Sequence, residues 1–266
     1  MRTEKLALSI RAQALRMVHK AKASHIASAL SIVDILAVLY GDVMTISPNE
    51  PKLQNRDRFI LSKGHACVAL YAALAETGFF PKKELETYGQ DFSWLMNHIS
   101  HKVAGVEFST GSLGHGLPFG AGKALAAKSM RKDWQVYVLL SDGEMDEGSN
   151  WEALMFSAHH QLNNLTVVID YNKLQSLDTI AHTLGLEPLV SKLESFGCHV
   201  FEVDGHSHVS LKTAFSEKCQ KPKVVIAHTI KGKGVSFMEN KVEWHYKNPD
   251  DIQLQNALAE LDGLNA

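Results

Sequence analysis

Apolar residues recur at helical spacing over the first forty positions. Leu6, Ile10, Ala14, Met17 and Val18 form one stripe, and Ile32, Ile35, Leu36 and Leu39 a second. Pro48 and Pro51 mark a loop, and 66–76 reads as a small-residue helix stopped by Gly78. Phe79 and Phe80 follow that turn, as core or as interface. From 88 to 122 the pattern is lost in a stretch rich in His, Ser and Gly. A loop of that length inside a compact domain usually carries function.

Beyond it the period changes. Residues 135–141 (QVYVLLS) and 165–170 (LTVVID) read as buried strands, and 198–203 and 223–229 (KVVIAHT) as two more. Helices fall between them. One is capped by Ser149 and runs to about Gln161, with Trp151, Leu154, Met155 and Ala158 on one face; another lies near 209–219. The tail from Pro249 reads as a final helix. Strands alternating with helices predict an α/β fold: a three-layer, doubly wound parallel sheet with helices on both faces. No repeat or linker divides the chain, so residues 1–266 are expected to form a single domain.

Composition narrows the function classes. Lys+Arg 27 against Asp+Glu 29 gives a net charge of −2, which offers nothing to a nucleic acid or an anionic membrane. No apolar run approaches the roughly 18 residues of a membrane span, and the charged N-terminus lacks a signal-peptide core. Cys67, Cys198 and Cys219 are odd in number and far apart, which fits reduced thiols in a cytoplasm. Histidine stands out, at 14 residues.

The strongest chemical signal is Ser141-Asp142-Gly143-Glu144 followed by Tyr171-Asn172-Lys173. Asp142 and Asn172 each stand just past a predicted strand, and one helix and one strand separate them, as a βαβ crossover requires. Both side chains therefore belong at the carboxyl edge of neighbouring parallel strands, where open α/β sheets bind ligands. A carboxylate and an amide oxygen suit a hard cation that takes its remaining ligands from water and phosphate. Gly143 lets a phosphate approach the backbone. On the dipeptides alone, ordinary Asp-Gly and Asn-Lys turns would be the better reading; the strand placement reverses that. Five glycines between Gly111 and Gly122 form a second, weaker signal, short of the dinucleotide fingerprint. His206 and His208 have the spacing of a metal pair, with nothing nearby to complete a zinc set.

Through these motifs the sequence resembles the thiamine-diphosphate enzymes, and more narrowly the N-terminal subunit of a split transketolase. SHIASALSIVDILAVLY, DRFILSKGHACVALYAAL, GVEFSTGSLGHGLPFGAGKALA, SDGEMDEGSNWEA, VVIDYNKLQSLD, AHTIKGKGVSFMEN and WHYKNP carry the resemblance. It implies that Asp142, Asn172 and the carbonyl of Leu174 hold Mg2+ (or Ca2+), that Gly143 contacts the cofactor diphosphate, and that Glu144 and Asn172 are among the cofactor-binding residues. It places Gly111 and Leu113 against the aminopyrimidine, and His65 and His245 near the diphosphate and reacting centre. It sets His25 and His98 against the sugar hydroxyls and Glu147 in an acidic network between active sites. Ketol transfer needs a proton taken from one hydroxyl and returned to another, work that suits imidazole. Taken singly, each of these histidines is more readily a solvated or capping residue.

The sequence also departs from the family pattern. GHPG is here Ser24-His25-Ile26-Ala27, GDG is Ser141-Asp142-Gly143, and the segment after Asn97-His98-Ile99 is one residue short, so His101 competes with His98. The pyrimidine-binding domain of the family is expected on a separate C-terminal subunit, in an α2β2 assembly acting on sugar phosphates. Phe79, Phe80 and the helices after Gly122 and near Trp151 are candidates for that interface. Three other readings compete: another thiamine-diphosphate enzyme, of the 1-deoxyxylulose-5-phosphate-synthase or 2-oxoacid type; a non-catalytic assembly subunit; and a metal hydrolase, which would need a denser His/Asp cluster.

Overall fold

A computed structural model describes residues 2–264. Among them, five strands form one all-parallel sheet in the order β1-β2-β3-β5-β4. The strands are β1 (Arg58–Leu61), β2 (Val136–Ser141), β3 (Leu165–Tyr171), β4 (His199–Asp204) and β5 (Lys223–His228). Their side chains alternate between two cores, as strand geometry demands. Phe59, Leu61, Tyr137, Leu139, Val168 and Val225 face one layer; Ile60, Val136, Val138, Leu140, Val167 and Ile226 face the other. Helices α1 (Arg2–Ala21), α2 (Ile26–Leu30), α3 (Val33–Val38) and α4 (Cys67–Glu76) build the first layer. The second holds α5 (Gly116–Ser129), α6 (Gly148–His159), α7 (Ile180–Thr183) and α8 (Leu189–Ser195). Helices α9 (His208–Ser216) and α10 (Asp251–Gly263) return to the first. This is the three-layer α/β arrangement that the alternating pattern predicts.

Several local expectations are corrected. β1 is an additional strand: its RFIL core is short and flanked by Arg56 and Asp57, so it reads as loop. β4 is an edge strand with a mixed exposed and intermediate profile rather than a buried one. Ser149 is not the cap of α6; Glu147 holds that position, and the Ser149 hydroxyl donates to the Gly114 carbonyl at 2.6 Å. The buried stripe of α6 is Asn150, Ala153, Leu154 and Ser157, and Met155 is exposed. Polar residues inside that stripe hid it from a hydrophobicity count. Phe80 is buried and packs edge-on to Trp94, while Phe79 lies against Tyr40, so this pair fills core.

The glycine-rich run is half helix, since α5 begins at Gly116. Gly120 lies directly over Val138 of β2, and a methyl group there would overlap Val138 Cγ2. Overpacking of that kind costs about 1–3 kcal/mol, against a gain of about 1 kcal/mol in helix propensity. Gly120→Ala is therefore expected to lower the unfolding free energy by about 1 kcal/mol, read from urea midpoints at unchanged slope. An unchanged or raised midpoint would show that the helix–sheet spacing yields freely.

Candidate active site

The carboxyl ends of β1, β2, β3 and β5 open on one cavity. It is lined by His25, His65, His98, Gly111, Leu113, Asp142, Gly143, Asn172, Leu174 and His245, together with Lys63 and Lys231. Ten of the residues expected from sequence are thus brought together. Glu144 and Glu147 are not among them. Glu144 is fully buried and turned inward, accepting from the Ser62 hydroxyl and the Gly114 N–H, so it ties the glycine-rich loop to the turn after β2. Glu147 is exposed at the start of α6. His101 lies outside as well, exposed and bonded to Ser109 Oγ at 2.7 Å, whereas His98 faces in.

Each side chain is set by local chain geometry. Asp142 and Asn172 stand at the tips of adjacent strands paired in register from Val136↔Leu165 to Ser141↔Asp170. The Asp142 carboxylate accepts the backbone N–H of Gly143 at 2.8 Å and of Lys173 at 2.5 Å. Burial, with the charge of Asp170 beside it, pushes its pKa up to about 7. Such a carboxylate needs a cation, and no lysine or arginine side chain is hydrogen-bonded to it among the described residues. Asn172 donates from Nδ2 to Asp170 at 3.0 Å, and its Oδ1 accepts the Leu174 N–H. The Leu174 carbonyl takes one bond from Lys231 Nζ at 2.9 Å and keeps a second lone pair. This all-oxygen donor set fits a hard divalent cation that completes its shell with water and phosphate. No group of three or more His, Cys, Asp or Glu arranged to hold a metal occurs among the described residues.

The histidines cluster. The ring of His25 lies 4.8 Å from His245, 5.1 Å from His65 and 6.3 Å from His98, centre to centre. His25 is held in the left-handed region at φ 73° ahead of α2, and its N–H donates to the His245 carbonyl at 2.8 Å. Burial lowers the pKa of His25 to about 4 and of His245 to about 3, and holds His65 well below its ordinary value. These three rings are therefore neutral at pH 7. Nδ1 of His25 is buried with no hydrogen-bond partner among the described residues.

Sequence reasoning passed over the two lysines. Lys63 is fully buried, with Nζ 2.6 Å from Asp170 Oδ2 and 3.1 Å from the Ser28 carbonyl. Asp170 also accepts from Ser31, Thr229 and Asn172, so one carboxylate organises four elements. Lys231 Nζ reaches the Leu174 and Gln175 carbonyls and His245 Nδ1; burial lowers its pKa to about 8. Lys63 stands in SKGHA two residues before His65, and Lys231 in TIKGKG, the signals that would have found them. His206 and His208, a possible metal pair by spacing, both bond Asp34 instead.

Residues 2–258 match the family described as transketolase, thiamine diphosphate binding domain. The chain belongs to this family. Its transketolase relatives include an apulose-4-phosphate transketolase subunit of Phocaeicola vulgatus, 40% identical over 94% of this chain and 90% of that protein. A 6-deoxy-6-sulfo-D-fructose transketolase subunit of a Clostridium species is 38% identical over 95% of this chain and 94% of its own length. The solved transketolase of Campylobacter jejuni superposes with a TM-score of 0.93 at 28% identity, covering 98% of this chain. This chain spans 42% of that larger transketolase. No helix among the described residues is long and apolar enough to cross a membrane.

Proposed function

We propose that this chain is the thiamine-diphosphate- and Mg2+-binding subunit of a two-chain transketolase, transferring a two-carbon ketol unit from a ketose phosphate to an aldose or aldose phosphate. The observation that carries this reading is the single cavity in which the Asp142–Asn172–Leu174 oxygens, two buried lysines and four histidines meet at the strand ends. The two chain-length relatives described above are transketolase subunits by name, which supports a partner. In this reading residues 1–266 are one domain, the pyrimidine-binding domain comes from a C-terminal subunit, and the assembly is α2β2 in the cytoplasm; the free cysteines fit that compartment.

Asp142, Asn172 and the Leu174 carbonyl would hold the cation, and Gly143, His65 and Lys231 would meet the diphosphate. Thiamine diphosphate, when bound, supplies the nucleophilic carbon and the sink for the electron pair of the broken C–C bond. This chain supplies placement and proton handling. Lys231 donates to His245 Nδ1, which leaves the ring proton of neutral His245 on Nε2, ready to donate to a sugar oxygen. His25, neutral and without a partner at Nδ1, keeps a ring nitrogen free to accept a hydroxyl proton.

The test is ketol transfer by the purified chain, with xylulose 5-phosphate and an aldose phosphate, alone and mixed with a candidate C-terminal subunit. No turnover alone and full turnover on mixing is expected. Turnover by the chain alone would overturn the two-chain reading.

A further inference from the structure

A second buried polar cluster lies outside the cavity, on the first helical layer. Asp34 of α3 is buried and takes a two-pronged contact from Arg11 of α1, at 3.1 Å from Nη1 and 2.5 Å from Nη2. His206, in the turn after β4, approaches the same carboxylate with Nδ1 at 2.7 Å. Both partners of Asp34 then reach on to the segment after β5. The Ile230 N–H donates to His206 Nε2 at 2.8 Å, and Arg11 Nε donates to the Lys233 carbonyl at 3.1 Å. Because Nε2 must accept, the proton of neutral His206 sits on Nδ1 and points at Asp34, so the ring orientation and tautomer are fixed together.

These two contacts flank Lys231 on both sides. Its ammonium is the group that touches the Leu174 and Gln175 carbonyls and His245 Nδ1. Gly232, at φ 84°, makes the turn between them, and its N–H donates to the Ala27 carbonyl. The Lys231 carbonyl accepts from the Asn240 N–H at 2.9 Å, and the Gly234 N–H donates to Glu239 Oε1 at 3.0 Å. The contacts reached from Asp34 are the ones that hold Ile230 and Lys233, the residues that bracket Lys231, and so bear on the direction of its side chain. His208 also bonds Asp34, at 3.1 Å, but its other nitrogen goes to Thr3 Oγ1, away from the segment after β5.

We infer that Asp34, Arg11 and His206 form a clamp whose task is to position Lys231, and through it His245, in the cofactor cavity. They are positioning residues, since none of the three lines the cavity. The inference rests on the proposed function for its purpose, but its geometry stands without any cofactor. It follows that two contacts to one carboxylate outside the cavity set a hydrogen bond inside the site.

Long-range 1H–15N spectra of the 15N-labelled full chain without cofactor test it, the His245 ring being assigned from its own variant. In the parent the Nδ1 resonance of His245 has the position of a hydrogen-bonded acceptor. His206→Leu keeps the apolar bulk and removes the acceptor, so this resonance is expected to move to that of a free imidazole nitrogen. His206→Gln, which restores an acceptor for Ile230, returns it. His208→Leu lowers the melting temperature but leaves the resonance in place. Where His206→Leu does not fold, Arg11→Lys, which keeps a cation on Asp34 and loses the Lys233 contact, is expected to give the same movement. In calorimetry of the chain mixed with the C-terminal subunit, with thiamine diphosphate and Mg2+, His206→Leu weakens binding about tenfold, as loss of an outer partner does. A His245 resonance unmoved by His206→Leu, or moved as much by His208→Leu, overturns the clamp. Failure of every form to bind thiamine diphosphate when mixed with the C-terminal subunit, with the resonance moving as expected, refutes the cofactor reading and leaves the clamp.

Discussion

Asp142→Ala abolishes Mg2+-dependent binding of thiamine diphosphate while the fold remains intact. The proposed cation site has one carboxylate, and it is this one; Asn172 and the Leu174 carbonyl are neutral donors. Loss of an outer-sphere partner costs about 10–100-fold in metal affinity, so loss of the anionic ligand itself is expected to cost at least about 100-fold. Stability responds differently. The carboxylate is buried near Asp170 and its pKa is raised to about 7, which means that its charged form is disfavoured in the cofactor-free fold. A carboxyl raised on folding binds more protons folded than unfolded, so its contribution falls as pH rises from the ordinary value of Asp toward 7. Removing it takes away that repulsion along with two hydrogen bonds to backbone N–H groups. The melting temperature of the cofactor-free variant at pH 8 should stay within about 5 °C of the parent. Calorimetry with and without Mg2+, beside a thermal melt, separates the two effects. Parental affinity in the variant would remove Asp142 from the site.

Why this residue was legible from sequence is plain in the sheet. β2 and β3 are buried on both faces, so VYVLL and LTVVI are continuous apolar runs that end where the chain leaves the sheet, and Asp142 and Asn172 sit at those ends. β1 gives no such signal because only four residues separate its charged flank from Ser62 and Lys63. β4 gives a mixed one because an edge strand has one solvated side.

The polar interior was less legible for a different reason. Lys63 and Asp170 are 107 positions apart, and nothing local says that a lysine in SKGHA will be buried against a carboxylate at the end of another strand. Arg11, Asp34 and His206 pose the same difficulty across three elements. The family resemblance, and not histidine content, points to the right cavity for His25, His65, His98 and His245. Histidine content alone does not tell them from His206 and His208, whose partners are set by how α1 and α3 pack. What spacing reveals is which strand end a residue occupies; what it hides is which buried charge it answers.

Asp170→Ala tests how far the site depends on that hidden layer. Asp170 is fully buried and accepts from Lys63, Ser31, Thr229 and Asn172. The Lys63 ammonium, itself 1% exposed, would be left without its counter-charge. Breaking a buried pair from one side costs about 3–5 kcal/mol, far more than the pair's own net contribution, because the remaining charge is uncompensated. For a chain of this size that is a fall of roughly 10 °C in melting temperature. Replacing both partners, in Lys63→Met with Asp170→Leu, removes the stranded charge and is expected to recover most of the loss. Thiamine diphosphate binding should not recover with it, since Asn172 Nδ2 has lost the acceptor that orients its amide. Urea denaturation of Lys63→Met, Asp170→Leu and the double variant gives the coupling between Lys63 and Asp170. A cost under about 1 kcal/mol for Asp170→Ala would show that the buried pair does not support the fold, and parental cofactor affinity in the double variant that Asp170 does not orient the site.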